Sequence, residues 1–355
     1  MTHQQIALRI LHEGTVIPAT PLALDRKGYF DPRHQRALVR YYLDAGVGGL
    51  AVGVHTTQFE IRDPKYDLFE TVLSAEIEEV RKYESRTGKT LVMVAGACGP
   101  TEQAVKEAAL AKSLGYDAVL LSPGGLGDKS EDYMIERTKA VAAVMPVIGF
   151  YLQPSVGGRV FSYGYWERLC AIENVVAIKA APFNRYLTLD VVRAAALSER
   201  SAQITLYTGN DDNIVIDLIS DYRFESEGRI YRKRFEGGLL GHWSVWTRTA
   251  VELFRKCKAL HTADAIPTDI LTLANEVTDA NAAFFDTANG FKGCIAGLHE
   301  VLHKQGLLEG TRCLNPDEAM SEGQKEEIDR VYRLYPHLCD DDFVKKNLDR
   351  WLSDN

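Results

Sequence analysis

The chain contains no apolar run long enough to cross a bilayer, for which a helix needs about 20 mostly apolar residues. It has no excess of basic charge: 41 Lys and Arg stand against 49 Asp and Glu, a formal net charge of -8. That balance argues against nucleic acid or an anionic membrane as a partner. The basic stretch Arg229-Ile230-Tyr231-Arg232-Lys233-Arg234 is short and reads as a solvated loop. No C-x-x-C pair occurs among the six scattered cysteines, and the polar start Met1-Thr2-His3-Gln4-Gln5 lacks a signal-peptide pattern. Reduced thiols and a cytoplasmic location are therefore expected. No G-x-G-x-x-G fingerprint follows an early strand, which removes the usual sign of a dinucleotide. No low-complexity linker divides the chain either, so one continuous unit is expected.

What is present is a repeated alternation. Gly14 to Pro21 reads as a first strand ending in a proline-punctuated turn. A helix from about Pro32 to Ala45 follows, with Ala37, Leu38, Tyr41 and Tyr42 at helical spacing, Asp31 as its cap and Pro32 in its first turn. Further strands are expected at Gly48–Val54, Leu91–Gly96, Asp117–Leu121, Pro146–Tyr151, Asn174–Pro182 and Ile204–Thr208, each followed by a helical segment. Glycine-rich Gly237–Gly241 is the candidate eighth strand. Eight such units within residues 10–260 predict an α/β fold, a (β/α)8 TIM barrel. An open doubly wound sheet shares the same local alternation. The charged segment 221–234 reads as an insertion before the eighth strand. Residues 261–355 show no strand and read as a C-terminal helical extension, with helices at Asp269–Thr287, Phe291–Gln305, Pro316–Tyr332 and Asp341–Leu352.

The sixth strand, Asn174-Val175-Val176-Ala177-Ile178-Lys179-Ala180-Ala181-Pro182, is apolar on both faces, as a covered parallel strand is. Alternation puts Val175, Ala177 and Lys179 on one face and Val176 and Ile178 on the other. A buried lysine is costly to keep charged, and its neutral amine is a nucleophile that forms Schiff bases with carbonyls. The plain alternative is that Lys179 has left the strand and points at water. In a barrel, strand C-termini converge on one pocket. That would gather Lys179 with Tyr151 after strand five, Thr56 and Thr57 after strand two, and Gly209-Asn210-Asp211-Asp212 after strand seven. An amine beside a phenol suits imine formation with proton transfer, and hydroxyls with free N–H groups suit a carboxylate. Taken singly, Tyr151 reads as a core aromatic, Thr56-Thr57 as turn chemistry and Asp211 as a helix cap.

From Gly14 to about Pro336 the chain resembles the dihydrodipicolinate synthase/N-acetylneuraminate lyase family, class I aldolases built on a (β/α)8 barrel with a helical extension. Pro18-Ala19-Thr20-Pro21-Leu22 is similar to the family's T-P-F segment, Val175 to Lys179 to its Schiff-base strand, and Phe150-Tyr151-Leu152-Gln153-Pro154 to its Y-N-x-P segment. Thr208-Gly209-Asn210-Asp211-Asp212 is similar to its S-G-D-D turn, and His55-Thr56-Thr57-Gln58-Phe59 to its G-T-T-G-E turn. The resemblance implies Lys179 as imine former and Tyr151 as proton relay, with Thr56, Thr57, Gly209 and Asp211 binding substrate. It implies a lyase or aldolase acting on pyruvate or another 2-oxo acid with an aldehyde, or a dehydratase variant, needing no metal or cofactor. It also implies a homo-oligomer, dimer or tetramer. The departures are specific. His55 and Gln58 replace both glycines of the carboxylate turn, and Pro123-Gly124-Gly125-Leu126 stands where synthases carry P-Y-Y-N. Val156 stands in place of the arginine that grips the aldehyde's carboxylate, with Arg159 nearby but out of register. Aspartate semialdehyde would thereby lose a charge-assisted bidentate contact.

Two other readings compete. His299-Glu300-Val301-Leu302-His303 matches H-E-x-x-H, which on a helix sets two histidines on one face for zinc with the glutamate as base. Its setting, with Ile295, Leu298, Val301 and Leu302 at packing positions, argues for a structural helix. The third reading is a barrel that has kept its fold and lost catalysis, serving as a binding protein.

Overall fold

A computed structural model describes residues 1–353 of the chain. Its strands are β1 (Val16–Pro18), β2 (Gly49–Val52), β3 (Val92–Ala97), β4 (Ala118–Leu121), β5 (Val147–Leu152), β6 (Val175–Ala181), β7 (Thr205–Thr208), β8 (Tyr222–Ser226), β9 (Arg229–Lys233) and β10 (Phe235–Leu240). Eight of them pair in parallel in the order β1-β10-β7-β6-β5-β4-β3-β2. The ring closes between β1 and β2 through the parallel bridge Ala19–Ala51 and the Thr20 N–H donating to the Ala51 carbonyl at 2.9 Å. Closure sets aside the open doubly wound sheet, and Gly237–Gly241 does lie in or beside the eighth barrel strand, β10.

The segment 221–234 folds as an antiparallel hairpin of β8 and β9 outside the ring. The helices are α1 (His3–Glu13), α2 (Pro32–Ala45), α3 (Phe69–Thr87), α4 (Thr101–Leu114), α5 (Glu131–Ala142), α6 (Tyr163–Cys170), α7 (Arg185–Leu197), α8 (Ile214–Ile219) and α9 (Thr247–Ala259). The extension supplies α10 (Asp269–Phe284), α11 (Cys294–Lys304), α12 (Gln324–Leu334) and α13 (Asp341–Trp351). None among the described residues is long and apolar enough to cross a membrane.

Local rules account for most boundaries. Asp31 accepts hydrogen bonds from the Arg33 and His34 N–H groups, with Pro32 at the first helical position, and Gly46 ends α2 in the left-handed region. The expected helix at Pro316 starts late, at Gln324. Glu318 instead accepts from the Ile295 N–H at 2.9 Å in the first turn of α11, and Gly323, at φ +82°, breaks the path before α12.

The polar N-terminus conceals α1, which buries Ala7 and Leu11 completely against the N-terminal end of the barrel. The Tyr207 hydroxyl donates to the Leu11 carbonyl at 2.8 Å, and His12 Nδ1 lies 2.7 Å from Thr205 Oγ1. Inside the ring, Ile17, Val94, Leu120, Ile148, Phe150 and Ala177 form one cluster, while a larger outer cluster packs strands against helices. The pairing of β5 with β6 shifts between Val147–Val175 and Ile148–Ala177. This bulge reverses the start of β6: Val175 joins the outer cluster and Val176 packs against the inner one. The expectation that Val175 shares a face with Lys179 is corrected there.

Candidate active site

Strand β6 delivers Lys179 to the C-terminal mouth of the ring, on the same face as Ala177 and Ala181, which belong to the inner cluster. Its register partners are Phe150 on β5 and Tyr207 on β7. The side chain is 9% exposed and makes no hydrogen bond or ion pair among the described residues. Its Nζ lies 4.5 Å from the centroid of the Phe150 ring. Burial lowers the amine from the ordinary lysine range to about 8, and the carboxyl of Asp211 opposes that shift in part. Asp211 is displaced the other way: burial raises it, held back by the Lys179 charge and by the His242 N–H that donates to Oδ1 at 3.1 Å. Gly209 is needed for space. A Cβ there would lie 2.5 Å from Lys179 Cε and 2.8 Å from the Ala181 Cβ.

The other expected residues divide. Thr56, Gly209 and Asp211 line the cavity with Lys179. Thr56 sits in a turn, and its hydroxyl donates to the Ala19 carbonyl at 2.8 Å. Thr57 is not brought to the cavity. Fully buried behind it, the Thr57 hydroxyl donates to the Thr20 carbonyl at 2.7 Å and accepts from the Gly53 N–H at 3.0 Å, tying the ends of β1 and β2 together. Gln58 keeps the left-handed backbone that a glycine would favour, at φ +68°, and its Oε1 accepts from the Leu314 N–H at 2.6 Å.

Tyr151 is not brought to Lys179 either. Its register partner is Ala180, so it faces outward, with its ring centroid 4.9 Å from Trp166 and 5.9 Å from Phe161. Alternation makes Phe150, one residue earlier, the aromatic that meets the amine.

Two further residues, His55 and Gln153, line the cavity beside those the sequence points to. The His55 imidazole is held neutral, lowered to about 4 by burial and secondarily by the Lys179 charge. The Gln153 amide also faces the cavity, and neither side chain has a hydrogen-bond partner among the described residues. Their signal was available, since both lie just beyond strand C-termini. The roof comes from further along the chain: Phe285 after α10 and Cys294 at the start of α11.

The H-E-x-x-H segment lies on α11, where every residue from Cys294 to Leu302 is buried. His299 Nδ1 is 3.9 Å from Cys313 Sγ, His303 Nδ1 is 3.0 Å from the Leu308 carbonyl, and Glu300 pairs with Lys325 at 3.4 Å. Among the described residues, one trio has metal-like spacing, Asp31, His34 and Glu309, and neither motif histidine belongs to it. His299 and Glu300 are buried in the packing of α11, whereas His303 lies at the surface.

Comparison with known proteins agrees with the barrel fold. A model of the dihydrodipicolinate synthetase family matches residues 13–220. N-acetylneuraminate lyase 2 of Escherichia coli O6:H1 is 22% identical over 331 residues, covering 92% of this chain and 94% of that protein. A 4-hydroxy-tetrahydrodipicolinate synthase of Clostridium novyi is 32% identical over 149 residues, 41% of this chain and 48% of its own. Among solved structures, dihydrodipicolinate synthase from Oceanobacillus iheyensis superposes with a TM-score of 0.73 at 14% identity, covering 95% of this chain and all of that one. N-acetylneuraminate lyase from Fusobacterium nucleatum gives 0.69 at 15% identity, covering 91% and 99%. At such identities the structural likeness speaks for the fold.

Proposed function

The chain belongs to the dihydrodipicolinate synthetase family and is a class I aldolase or lyase, and from that premise we propose that Lys179 is its Schiff-base amine, acting on pyruvate or a close 2-oxo acid. The observation that carries this reading is the amine itself: buried at the barrel mouth, without a hydrogen bond or ion pair among the described residues, and shifted toward its neutral form.

The lone pair on Nζ adds to the ketone carbon of the 2-oxo acid. The ketone oxygen takes up two protons and leaves as water, and a protonated imine remains. Loss of a proton from C3 then places the electron pair in an enamine. Asp211, His55 and Cys294 are the titratable groups that share the cavity with the amine; burial raises the Cys294 thiol well above its ordinary range, so Asp211 and His55 carry these protons in place of a phenol. The substrate's carboxylate lies at the turn carrying Thr56, with Gln58 holding the backbone that shapes it. The enamine carbon makes, or in reverse breaks, the bond to an aldehyde.

Pyruvate with borohydride tests the assignment. One covalent adduct should form per chain and map to the Lys179 peptide, and Lys179→Met should abolish it. An unmodified Lys179 peptide after that treatment refutes the reading.

A further inference from the structure

Resting on the Schiff-base reading, we propose that the aldehyde handled here is uncharged and largely apolar, an aliphatic or aromatic aldehyde without carboxylate, phosphate or a chain of hydroxyls. The space above the amine is walled by Leu120, Phe150, Leu152, Val156, Phe183 and Phe285. Leu120, Phe150, Leu152 and Phe285 are each 7% exposed or less, so this part of the wall is built into the packed core.

Charge is the first discriminator. Lys179 is the one cation among the lining residues. Once it is an iminium, its charge is matched by the carboxylate of the bound 2-oxo acid. A second anionic group would sit beside Asp211 with no counter-charge left among the lining residues. The nearby guanidinium does not supply one. Arg159 Nη1 donates to the carbonyls of Leu126 and Lys129, and the group lies 5.2 Å from the centroid of the Phe161 ring. Residue 156, in the cavity wall, is a valine.

Hydrogen-bonding capacity is the second discriminator. The Thr56 hydroxyl already donates to a backbone carbonyl. That leaves the His55 imidazole, with one donor and one acceptor, and the Gln153 amide, with two donors and one acceptor, as uncommitted neutral groups in the wall, too few for a carbonyl and several hydroxyls that each donate and accept. A polyhydroxylated aldehyde would bury several hydroxyls against leucine, valine and phenylalanine, each costing free energy when unpaired. In the addition direction, the enamine carbon attacks the aldehyde carbon and the carbon–carbon bond forms. The carbonyl pair moves to oxygen, which takes a proton from the His55 side of the cavity or from water. Water then adds to the restored iminium and releases Lys179.

The test uses the full chain, saturating pyruvate and three aldehydes of matched length: butanal, succinic semialdehyde and erythrose, with benzaldehyde as a larger apolar probe. The expected kcat/KM for butanal or benzaldehyde exceeds that for succinic semialdehyde and erythrose by about tenfold or more. Val156→Arg, on a half-exposed turn, should shift the succinic semialdehyde to butanal ratio upward by about tenfold. A wild-type preference for the anionic or polyhydroxylated aldehyde, an unmoved ratio in Val156→Arg, or no turnover of any aldehyde while pyruvate is still trapped overturns the proposal alone. Failure of borohydride to trap pyruvate on Lys179 instead removes the reading beneath it.

Discussion

On β5 two aromatic residues stand side by side and look in opposite directions: Phe150 toward the amine of Lys179, Tyr151 toward Trp166. The phenol's one hydrogen bond is a long one, accepted from the Phe161 N–H at 3.5 Å. Tyr151→Phe should therefore keep kcat/KM within about threefold of the parent and cost about 1 kcal/mol or less, since only a weak contact is lost. Steady-state kinetics and a urea titration check both numbers, and a loss of a hundredfold or more would return the proton relay to Tyr151. The placement of Lys179 was legible only once its strand was set in a barrel, because the strand alone left the cation free to point at water. The choice between Phe150 and Tyr151 was not. A strand's facing depends on register, a one-residue slip inverts it, and the bulge between β5 and β6 is a property of pairing that neither strand displays alone. His55 reads in the sequence as a missing glycine, because the burial that holds its imidazole neutral comes only with the assembled mouth.

Among the elements, α3 carries a carboxyl that joins three parts of the fold. Glu76 Oε1 accepts from the Thr20 hydroxyl after β1 at 2.9 Å and from Gln35 Nε2 of α2 at 2.8 Å. The Gln35 Oε1 in turn accepts from the Ala23 N–H at 2.7 Å. Burial raises Glu76 from the ordinary carboxylate range to about 8, so the folded chain holds this proton at neutral pH while the unfolded chain releases it. The sign follows: stability is greatest below the unfolded value and falls as pH rises from about 4.5 toward 8. Glu76→Gln keeps the shape without the titration. It should flatten the pH dependence of unfolding over that range and add on the order of 1–3 kcal/mol at pH 8. Urea midpoints at pH 5 and pH 8 measure the difference, and an unchanged slope would show that Glu76 is ionised in the fold. The strand–helix alternation was readable in the sequence because each element declares its own period. The β8–β9 hairpin was readable only as a polar insertion. Its outer face is arginine-rich, with Arg223, Arg232 and Arg234 around Asp221, and its half-buried Tyr222 and Phe224 are too few to announce a strand.

At the scale of the whole molecule, the barrel is stopped at both ends. Helix α1 fills the base with Ala7 and Leu11, far from the mouth where Lys179 sits. Leu11→Ala should lower the unfolding free energy by about 2–4 kcal/mol through the lost burial and the cavity left behind, with kcat unchanged in the molecules that remain folded. Urea denaturation and active-site titration by borohydride trapping measure the two quantities separately, and a fall in kcat per trapped site would mean that the base communicates with the mouth. This helix escaped the sequence reading because two buried residues in eleven leave a segment looking polar. At the opposite end, Phe285 and Cys294 complete the roof, although both lie beyond the last barrel strand. A ribosome that has released β10 has delivered all eight staves, but the lid arrives only some fifty residues later. Until then the mouth lacks its cover from Phe285 and Cys294, so the enclosure of the amine is a late acquisition of this polypeptide as it is made.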